Sequence, residues 1–287
     1  MTSPARALRE ILEAGRTIWS AGAYDALSAL LIERAGFDAV FTTGFGISAS
    51  HLGQPDVELY TMTENLGVVR NMVSVVKRPV IADGDTGYGN VINVMRTVRE
   101  FERAGVAGIV FEDQLIPKRC PAAATKVDVL PPAEAARKIR AAVEARRDPD
   151  FLIIARTDAD TVAESIERAC LYAQAGADLI QPISRTLKTF DHLKQLREAC
   201  GRPLSLQILG WLEQELTAAQ IEQVAGLAVF PLVPLMTITQ ALQANLAQVA
   251  ANKHARGLPL PQTSMEEFKK IIGFGEIERT QNRFEMS

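Results

Sequence analysis

Short apolar runs alternate with amphipathic helical stretches along most of the chain. The apolar runs predict eight strands, at Thr17–Gly22, Ala39–Thr43, Pro79–Ala82, Gly108–Phe111, Phe151–Ala155, Leu179–Pro182, Leu204–Ile208 and Leu227–Pro231. Positions with helical spacing follow them, at Asp25–Ala35, Thr63–Val76, Asn90–Ala104, Pro132–Arg146, Ala163–Gln174, Thr189–Ala199, Thr217–Val224 and Thr237–Ala251. Eight strand–helix units in roughly 250 residues predict an α/β fold, a (β/α)8 TIM-type barrel.

An internal repeat supports this prediction. The segments Glu33-Arg-Ala-Gly36, Glu102-Arg-Ala-Gly105 and Ala173-Gln-Ala-Gly176 each end a predicted helix just before a strand. Their spacing corresponds to two strand–helix units, as expected of a barrel, and each glycine suits the end of a helix. An open doubly wound sheet is the alternative, but its G-x-G-x-x-G after the first strand is missing.

The C-terminal segment adds a helix beyond the eighth unit. We predict a catalytic barrel domain at 1–255 and a linker with a helix at 256–287, the helical pattern covering Ser264–Arg283. Phe268, Ile271, Ile272 and Phe274 form an apolar face that a closed barrel leaves without a partner. A neighbouring subunit could cover this face, so we expect a homo-oligomer.

Composition narrows the classes of function. The 287 residues are 47% hydrophobic and 23% charged with a net charge of −3, which argues against a nucleic-acid partner. We expect no signal peptide, because the first 20 residues carry five charges and no long apolar core, and no membrane-spanning run. Three widely spaced cysteines argue against a disulfide framework and favour the cytoplasm.

The segment Pro79–Asn90 contains the most distinctive chemistry. An apolar strand runs into Asp83-Gly-Asp-Thr-Gly-Tyr-Gly-Asn90, where a helix begins. Because side chains alternate along a strand, we expect Asp83 and Asp85 to point the same way. A solvated loop with a helix cap is the alternative interpretation of such a pair.

Further polar residues follow the other predicted strands. Because the C-terminal ends of parallel barrel strands face one side, Asp83, Asp85, Glu112, Asp113 and Arg156 are expected to converge there. Crowded acids repel unless a cation lies between them, and oxygen ligands without paired His or Cys favour Mg²⁺ or Mn²⁺. Backbone N–H groups at 44–50 could bind a carboxylate, and Arg156 could bind a second one.

These residues resemble the isocitrate lyase/phosphoenolpyruvate mutase superfamily. The matching segments are Tyr24-Asp-Ala-Leu-Ser-Ala29, Thr43-Gly-Phe-Gly-Ile-Ser-Ala-Ser50, Asp83–Asn90, Glu112-Asp-Gln114, Pro117-Lys-Arg-Cys120 and Ile154-Ala-Arg-Thr-Asp158.

The resemblance implies an α/β barrel with a swapped eighth helix, usually a tetramer built from dimers. It also implies Mg²⁺ at Asp83, Asp85 and Glu112, with the small carboxylate substrate on Thr43, Gly44 and Phe45.

The resemblance also suggests how the remaining site residues are divided. We assign Asp56 and Arg156 to substrate binding, and Cys120, Arg156, Lys118 and Tyr24 to catalysis. Similar lyases carry a cysteine on the loop after strand four, where it is thought to protonate the enolate product, so Cys120 indicates a lyase.

Other segments differ from the lyase pattern. Similar lyases carry a Glu after strand six and an Asn-x-x-Glu-x-Gly run after strand seven, where this chain has Gln181-Pro-Ile-Ser184 and Gln207-Ile-Leu-Gly-Trp211. Phe45 and the Ser184-Arg185 pair look more like the phosphonate-processing branch.

The leading hypothesis is a Mg²⁺-dependent carbon–carbon lyase. Its substrate would be a 2-hydroxy or 2-oxo di- or tricarboxylate of the methylisocitrate or malate type. The alternatives are a phosphoenolpyruvate mutase or phosphonopyruvate hydrolase, an oxaloacetate decarboxylase, and a non-catalytic protein that binds small acids on the same barrel.

Overall fold

Eight parallel strands close into a barrel in chain order, with the last strand hydrogen-bonded to the first. The computed structural model describes residues 3–121, 123–124, 126–183 and 185–285. The strands are β1 (Ile18–Ala23), β2 (Ala39–Thr42), β3 (Val80–Asp83), β4 (Gly108–Glu112), β5 (Leu152–Thr157), β6 (Leu179–Pro182), β7 (Leu204–Gln207) and β8 (Ala225–Phe230). The (β/α)8 barrel predicted from the apolar runs is confirmed.

Helices precede, connect and follow the strands along the chain. They are α1 (Pro4–Glu13), α2 (Ala26–Arg34), α3 (Gly44–Ile47), α4 (Met62–Val75), α5 (Val91–Arg103), α6 (Pro132–Ala145), α7 (Val162–Gln174), α8 (Phe190–Cys200), α9 (Trp211–Glu215), α10 (Ala218–Val224), α11 (Val233–Asn252), α12 (Met265–Ile271) and α13 (Phe274–Glu285). The prediction missed α1, α3 and α9. Gly36, Gly105 and Gly176, in the repeated segment, have positive φ directly after α2, α5 and α7, as expected at helix ends.

Helix α1 covers the N-terminal end of the barrel. Its Ala5 and Leu8 are buried in one apolar cluster with the first residues of several strands, among them Ile18, Leu152 and Leu179. The Ser3 hydroxyl caps the helix by accepting a hydrogen bond from the Arg6 N–H group at 3.1 Å. The barrel core is therefore closed at the end opposite to the strand C-termini.

The chain divides into two compact units, one ending at Val233 and the other beginning at Pro234. In the second unit, the helix predicted at Ser264–Arg283 is interrupted, because Gly273 adopts a φ of +82° and separates α12 from α13. Neither helix has a buried residue within this chain. The predicted division at 255/256 and the swapped eighth helix stay predictions.

Candidate active site

A cavity of about 270 Å³ lies among the C-terminal ends of the strands. Six of the residues assigned to the site from the sequence line it: Thr43, Phe45, Asp56, Asp83, Cys120 and Arg156. Asp85, Lys118 and Glu112 are almost fully buried next to it. The C-terminal ends of the strands therefore bring together most of the predicted site.

Asp83 and Asp85 lie next to each other, but not because side chains alternate along a strand, as was predicted. β3 ends at Asp83, and Asp85 lies in the following turn with a left-handed φ of +49°. The Asp85 N–H group donates to Asp83 Oδ1 at 3.1 Å, and the Gly44 N–H group donates to Asp83 Oδ2 at 3.1 Å. The period-two argument was therefore wrong for Asp85, which the turn brings towards Asp83.

Lys118 supplies a cation between two of the acids. Its Nζ lies 2.5 Å from Asp85 Oδ1 and 2.8 Å from Asp56 Oδ1, and its side chain is only 4% exposed. Burial disfavours the charged lysine, but the charges of Asp85, Glu112 and Asp56 outweigh burial and hold the pKa of Lys118 well above its usual value. Lys118 is therefore a fixed positive charge at neutral pH and not a base.

Tyr88 and Asn65, which sequence reasoning missed, hydrogen-bond to Asp85 and Asp83. The Tyr88 hydroxyl donates to Asp85 Oδ2 at 2.9 Å. Asn65 Nδ2, on α4, donates to Tyr88 Oη at 2.7 Å and to the Asp83 carbonyl at 3.0 Å. Tyr88 belonged to the Asp83–Asn90 motif and could have been chosen, whereas nothing in the α4 sequence indicated Asn65.

Arg156 lies between two carboxylates at the ends of β4 and β5. Its guanidinium contacts Glu112 Oε2 at 2.9 Å and Asp158 Oδ1 at 2.8 Å. Burial raises the pKa of Glu112 to about 8, against the opposing effect of Arg156. Burial and the charge of Asp85 likewise raise the pKa of Asp83 to about 6. Both raised pKa values indicate that the nearby positive charge is too small to offset the burial of these two carboxyl groups.

Asp113 does not belong to the cavity, which corrects the expectation that it joins the other acids. Its Oδ2 accepts hydrogen bonds from the Tyr172 hydroxyl at 2.6 Å and from the Arg168 guanidinium at 3.2 Å, both on α7. Side chains alternate between the two faces of a strand, so Glu112 and its neighbour Asp113 extend to opposite sides.

A buried lysine on α6 was also missed. Lys138 is 7% exposed, and its Nζ donates to the Thr86 carbonyl, directly after Asp85. The Thr86 hydroxyl donates in turn to Glu58 Oε1 at 2.5 Å. Lys138 therefore supports the turn after β3 from outside the barrel, and its helical position gave no sign of this role.

The segment after β2 has less free backbone than predicted. It forms α3 and a π-helical turn at Ser48–Leu52, so most of its N–H groups are used internally. The Gly44 N–H group donates to Asp83, and the Gly46 N–H group to Thr43 Oγ1 at 3.3 Å. Tyr24 is 7% exposed and packs behind Gly46, outside the cavity lining. Carboxylate binding at Thr43–Phe45 stays a prediction.

Four further polar residues line the cavity: Cys120, Gln181, Arg185 and Gln207. Gln181 Oε1 accepts hydrogen bonds from Ser205 Oγ at 3.0 Å and from Gln207 Nε2 at 3.2 Å. The Arg185 guanidinium contacts Asp160 Oδ1 at 2.9 Å. Ser184, which the sequence paired with Arg185, lies outside the described residues.

The donor set fits a divalent cation in charge and in chemistry. Five carboxyl groups (Asp56, Asp83, Asp85, Glu112 and Asp158) face two cations, Lys118 and Arg156. Glu112 Oε1 is buried without a hydrogen-bond partner among the described residues. Among the described residues, however, no three Asp, Glu, His or Cys side chains are already arranged as the ligands of one metal ion. The oxygen donors suit Mg²⁺ or Mn²⁺, and the metal assignment stays a proposal.

Within the described ranges, no helix combines the length and the apolar character that crossing a bilayer requires.

The family described as phosphoenolpyruvate phosphomutase matches residues 8–252. The 2,3-dimethylmalate lyase of Eubacterium barkeri is 38% identical over 282 residues, which are 96% of each chain. The solved phosphoenolpyruvate phosphomutase from Streptomyces platensis subsp. rosaceus superposes with a TM-score of 0.90 at 32% identity, over 98% of this chain and 99% of that one. A phosphonopyruvate hydrolase solved with oxalate and Mg²⁺ has a TM-score of 0.88 at 31% identity, over 98% and 99% of the two chains.

Proposed function

Because this chain belongs to the isocitrate lyase/phosphoenolpyruvate mutase superfamily, and is an enzyme of that superfamily acting on carboxylate substrates, we propose the following reaction. The enzyme cleaves a carbon–carbon bond in a 2-hydroxy or 2-oxo di- or tricarboxylate of the methylisocitrate or malate type. It does so with Mg²⁺, or Mn²⁺ in its place. The 2,3-dimethylmalate lyase, similar along almost the whole chain, supports this choice of substrate class.

One observation carries the proposal: a thiol and an arginine line the same cavity as the Asp83 carboxylate. Cys120, Arg156 and Asp83 come from three distant segments and line one cavity of about 270 Å³. A lyase that forms an enolate needs a proton donor and a positive charge beside the reacting carbons. Cys120 and Arg156 provide this pair.

Each residue has a role that follows from its environment. The Arg156 guanidinium stabilises negative charge that develops on the substrate, and Cys120 donates a proton to the carbon of the enolate. Burial raises the pKa of Tyr24, so its hydroxyl stays protonated and can act as a hydrogen-bond donor. Asp83, Asp85 and Glu112 would hold the metal ion, which supplies Lewis-acid stabilisation of an oxygen anion.

The assembly and its location are also proposals. We assign the catalytic domain to 1–255 and the oligomer contacts to 256–287, in a cytoplasmic dimer of dimers with a swapped eighth helix. The exposed apolar side chains of α12 and α13 support a contact with a second subunit, since an apolar surface of this kind is usually buried in an assembly.

Phosphonate chemistry is the second candidate, and one observation favours it. Arg185 and Phe45 line the cavity, and the amides of Gln181 and Gln207 lie where a lyase of the superfamily would be expected to carry other side chains. The Arg185 guanidinium, which also contacts Asp160, is a cation that suits a dianionic phosphonate. The similarity to a phosphonopyruvate hydrolase agrees with this candidate.

An activity screen distinguishes the two candidates. We would test methylisocitrate, isocitrate, dimethylmalate, oxaloacetate and phosphonopyruvate, each with Mg²⁺ and with excess EDTA. Release of pyruvate or glyoxylate together with a second carboxylate is expected. Inorganic phosphate as the co-product would favour the second candidate, and carbon dioxide would indicate decarboxylation. No turnover of any of the five compounds would contradict the proposed function.

A further inference from the structure

The Asp113 cluster, defined here as Asp113, Arg168 and Tyr172, is a buried polar group outside the cavity. Arg168 is 2% exposed, Tyr172 is fully buried and Asp113 is 3% exposed. Three ionic or polar side chains hidden between β4 and α7 cost desolvation free energy that apolar residues would not. Nothing in the proposed reaction uses them directly.

The cluster is connected to the cavity through one backbone group. Asp113 Oδ1 accepts a hydrogen bond from the Asp158 N–H group at 2.9 Å, while Asp113 Oδ2 accepts from Tyr172 and Arg168. The Asp158 side chain then contacts the Arg156 guanidinium at 2.8 Å. A continuous line of contacts thus runs from α7 through the barrel wall to Arg156.

The Asp158 side chain has few other polar contacts that set its orientation. Its side chain is completely buried, and its Oδ2 has no hydrogen-bond partner among the described residues. The orientation of the carboxylate therefore depends on the backbone at 157–159 and on Arg156. The Asp113 contact joins this backbone to the side chain of the residue that directly follows β4.

Arg168 is also held by Glu164, a residue of its own helix, α7. Glu164, one turn earlier on α7, lies 2.7 Å from Arg168 Nη2 and accepts from Arg168 Nε at 2.9 Å. The guanidinium therefore approaches Asp113 from a set direction, since its planar fork cannot rotate without losing contacts.

We propose that Asp113, Arg168, Tyr172 and Asp158 are positioning residues that set the orientation of Arg156 in the cavity. The inference deepens the proposed function, because it concerns the arginine to which that function assigns charge stabilisation. Preorganised donors lose effect when they are displaced by fractions of an ångström, so a loosened Arg156 would slow the reaction more than it would weaken binding.

Tyr172→Phe is the test variant, because it removes one hydrogen bond to Asp113 and keeps the ring that fills the space. Ser165→Ala is the matched control, since Ser165 lies on the same helix, is 1% exposed and takes no part in the hydrogen bonds and ion pairs that define the cluster. Asp158→Asn serves as a positive control, because it weakens the contact with Arg156 directly.

The first measurement needs no substrate. In ¹⁵N-labelled protein, the Arg156 Nε–Hε signal is assigned by its loss in Arg156→Lys, and rotation of the guanidinium about its Cζ–Nε bond is measured by exchange spectroscopy. We expect faster rotation in Tyr172→Phe and in Asp158→Asn, and wild-type rotation in Ser165→Ala. Unchanged rotation in Tyr172→Phe would overturn the proposal, whatever the turnover.

The second measurement uses the substrate found in the activity screen. We expect kcat of Tyr172→Phe to fall about tenfold at a temperature well below its Tm, with little change in KM. A purely structural role would lower Tm and leave kcat unchanged, and faster rotation without slower turnover would overturn the role in the reaction. If wild-type protein turns over no substrate, the proposed function fails, and the rotation of Arg156 alone decides the positioning role.

Discussion

Cys120 is the residue on which the choice between the two proposed reactions depends. A thiol can give a proton to an enolate carbon, whereas a mutase, which moves the phosphoryl group from the carbon to the oxygen of one substrate, needs no such donor. Cys120 lines the cavity, while Cys170 and Cys200 lie on α7 and α8. The three free cysteines are all partly buried, so they form a natural comparison set.

We predict that Cys120→Ser lowers single-turnover rates on a carbon–carbon substrate at least about a hundredfold, the usual contribution of one acid–base group. Cys170→Ser should keep the wild-type rate. Affinity for oxalate should change little in Cys120→Ser, because the thiol would act on the product and not on the bound carboxylate. Equal rates for Cys120→Ser and wild type would remove Cys120 from the mechanism and favour the phosphonate or the decarboxylase candidate over the lyase.

Asp85 combines a proposed metal ligand with a buried ion pair. Asp85→Asn should reduce Mg²⁺-dependent turnover at least about a hundredfold, because the proposed metal ion loses a charged oxygen ligand. Since Asp85 is fully buried beside Lys118, the variant should also lose about 1–3 kcal/mol of unfolding free energy.

Turnover over a range of Mg²⁺ concentrations and the Tm of each protein measure both effects. The control is Asp191→Asn, whose side chain is 76% exposed on α8. Wild-type turnover in Asp85→Asn, or in excess EDTA, would contradict the metal assignment.

At the scale of elements, the start of α3 packs closely against the Asp83 carboxylate at the end of β3. A Cβ added to Gly44 would lie 2.7 Å from Tyr60 Oη and 2.8 Å from Asp83 Oδ2. Gly67, within α4, has nothing within 4 Å of the same added atom. The same change to alanine therefore meets close neighbours at Gly44 and open space at Gly67.

Gly44→Ala should displace the Asp83 carboxylate and lower turnover at least about tenfold, by misplacing a group of the site. Gly67→Ala should keep turnover and gain about 0.5–1 kcal/mol of stability, because alanine favours the helix interior. Enzyme assays and thermal unfolding of both variants measure these effects. Unchanged turnover in Gly44→Ala would show that this close approach does not matter.

The elements also show how far sequence reasoning could go. Buried parallel strands are continuous apolar runs, so all eight were found, and the acids at the ends of β3 and β4 came with them. The failures have a different origin. Asp113 was misplaced because the alternation of β4 was not applied to it, and Asp85 because the strand ends two residues earlier.

Other site residues could not have been found from one sequence. Asn65 and Lys138 reach the site from α4 and α6, and a helical pattern shows which face is buried but not which strand end it meets. Lys118 was assigned to the site by resemblance alone, and its place between Asp56 and Asp85 depends on the tertiary fold.

At the scale of the whole molecule, we predict that the C-terminal helices determine assembly. The exposed large side chains on them are Met265, Phe268, Ile272, Phe274, Ile277 and Phe284. A chain that ends at Gly257 should lose its oligomeric state or become insoluble, because the apolar contact between subunits is removed. Light scattering of the full-length and shortened chains measures this effect.

Point variants test the same surface with the helices kept. Ile277→Asp should weaken the oligomer, whereas Glu278→Gln, at the next position of α13, should leave it intact. Full-length and shortened chains that are both well-behaved monomers would refute the prediction.

Helix α1 has a kinetic consequence. Because Ala5 and Leu8 of α1 are buried with the first residues of the strands, the described part of the chain closes the N-terminal end of the barrel and leaves the strand C-termini as the approach to the cavity. The proposed carbon–carbon cleavage would make two products from one substrate, and both would leave by the way the substrate entered. We therefore expect ordered release: the product that leaves last should compete with the substrate for the free enzyme, and the one that leaves first should inhibit noncompetitively.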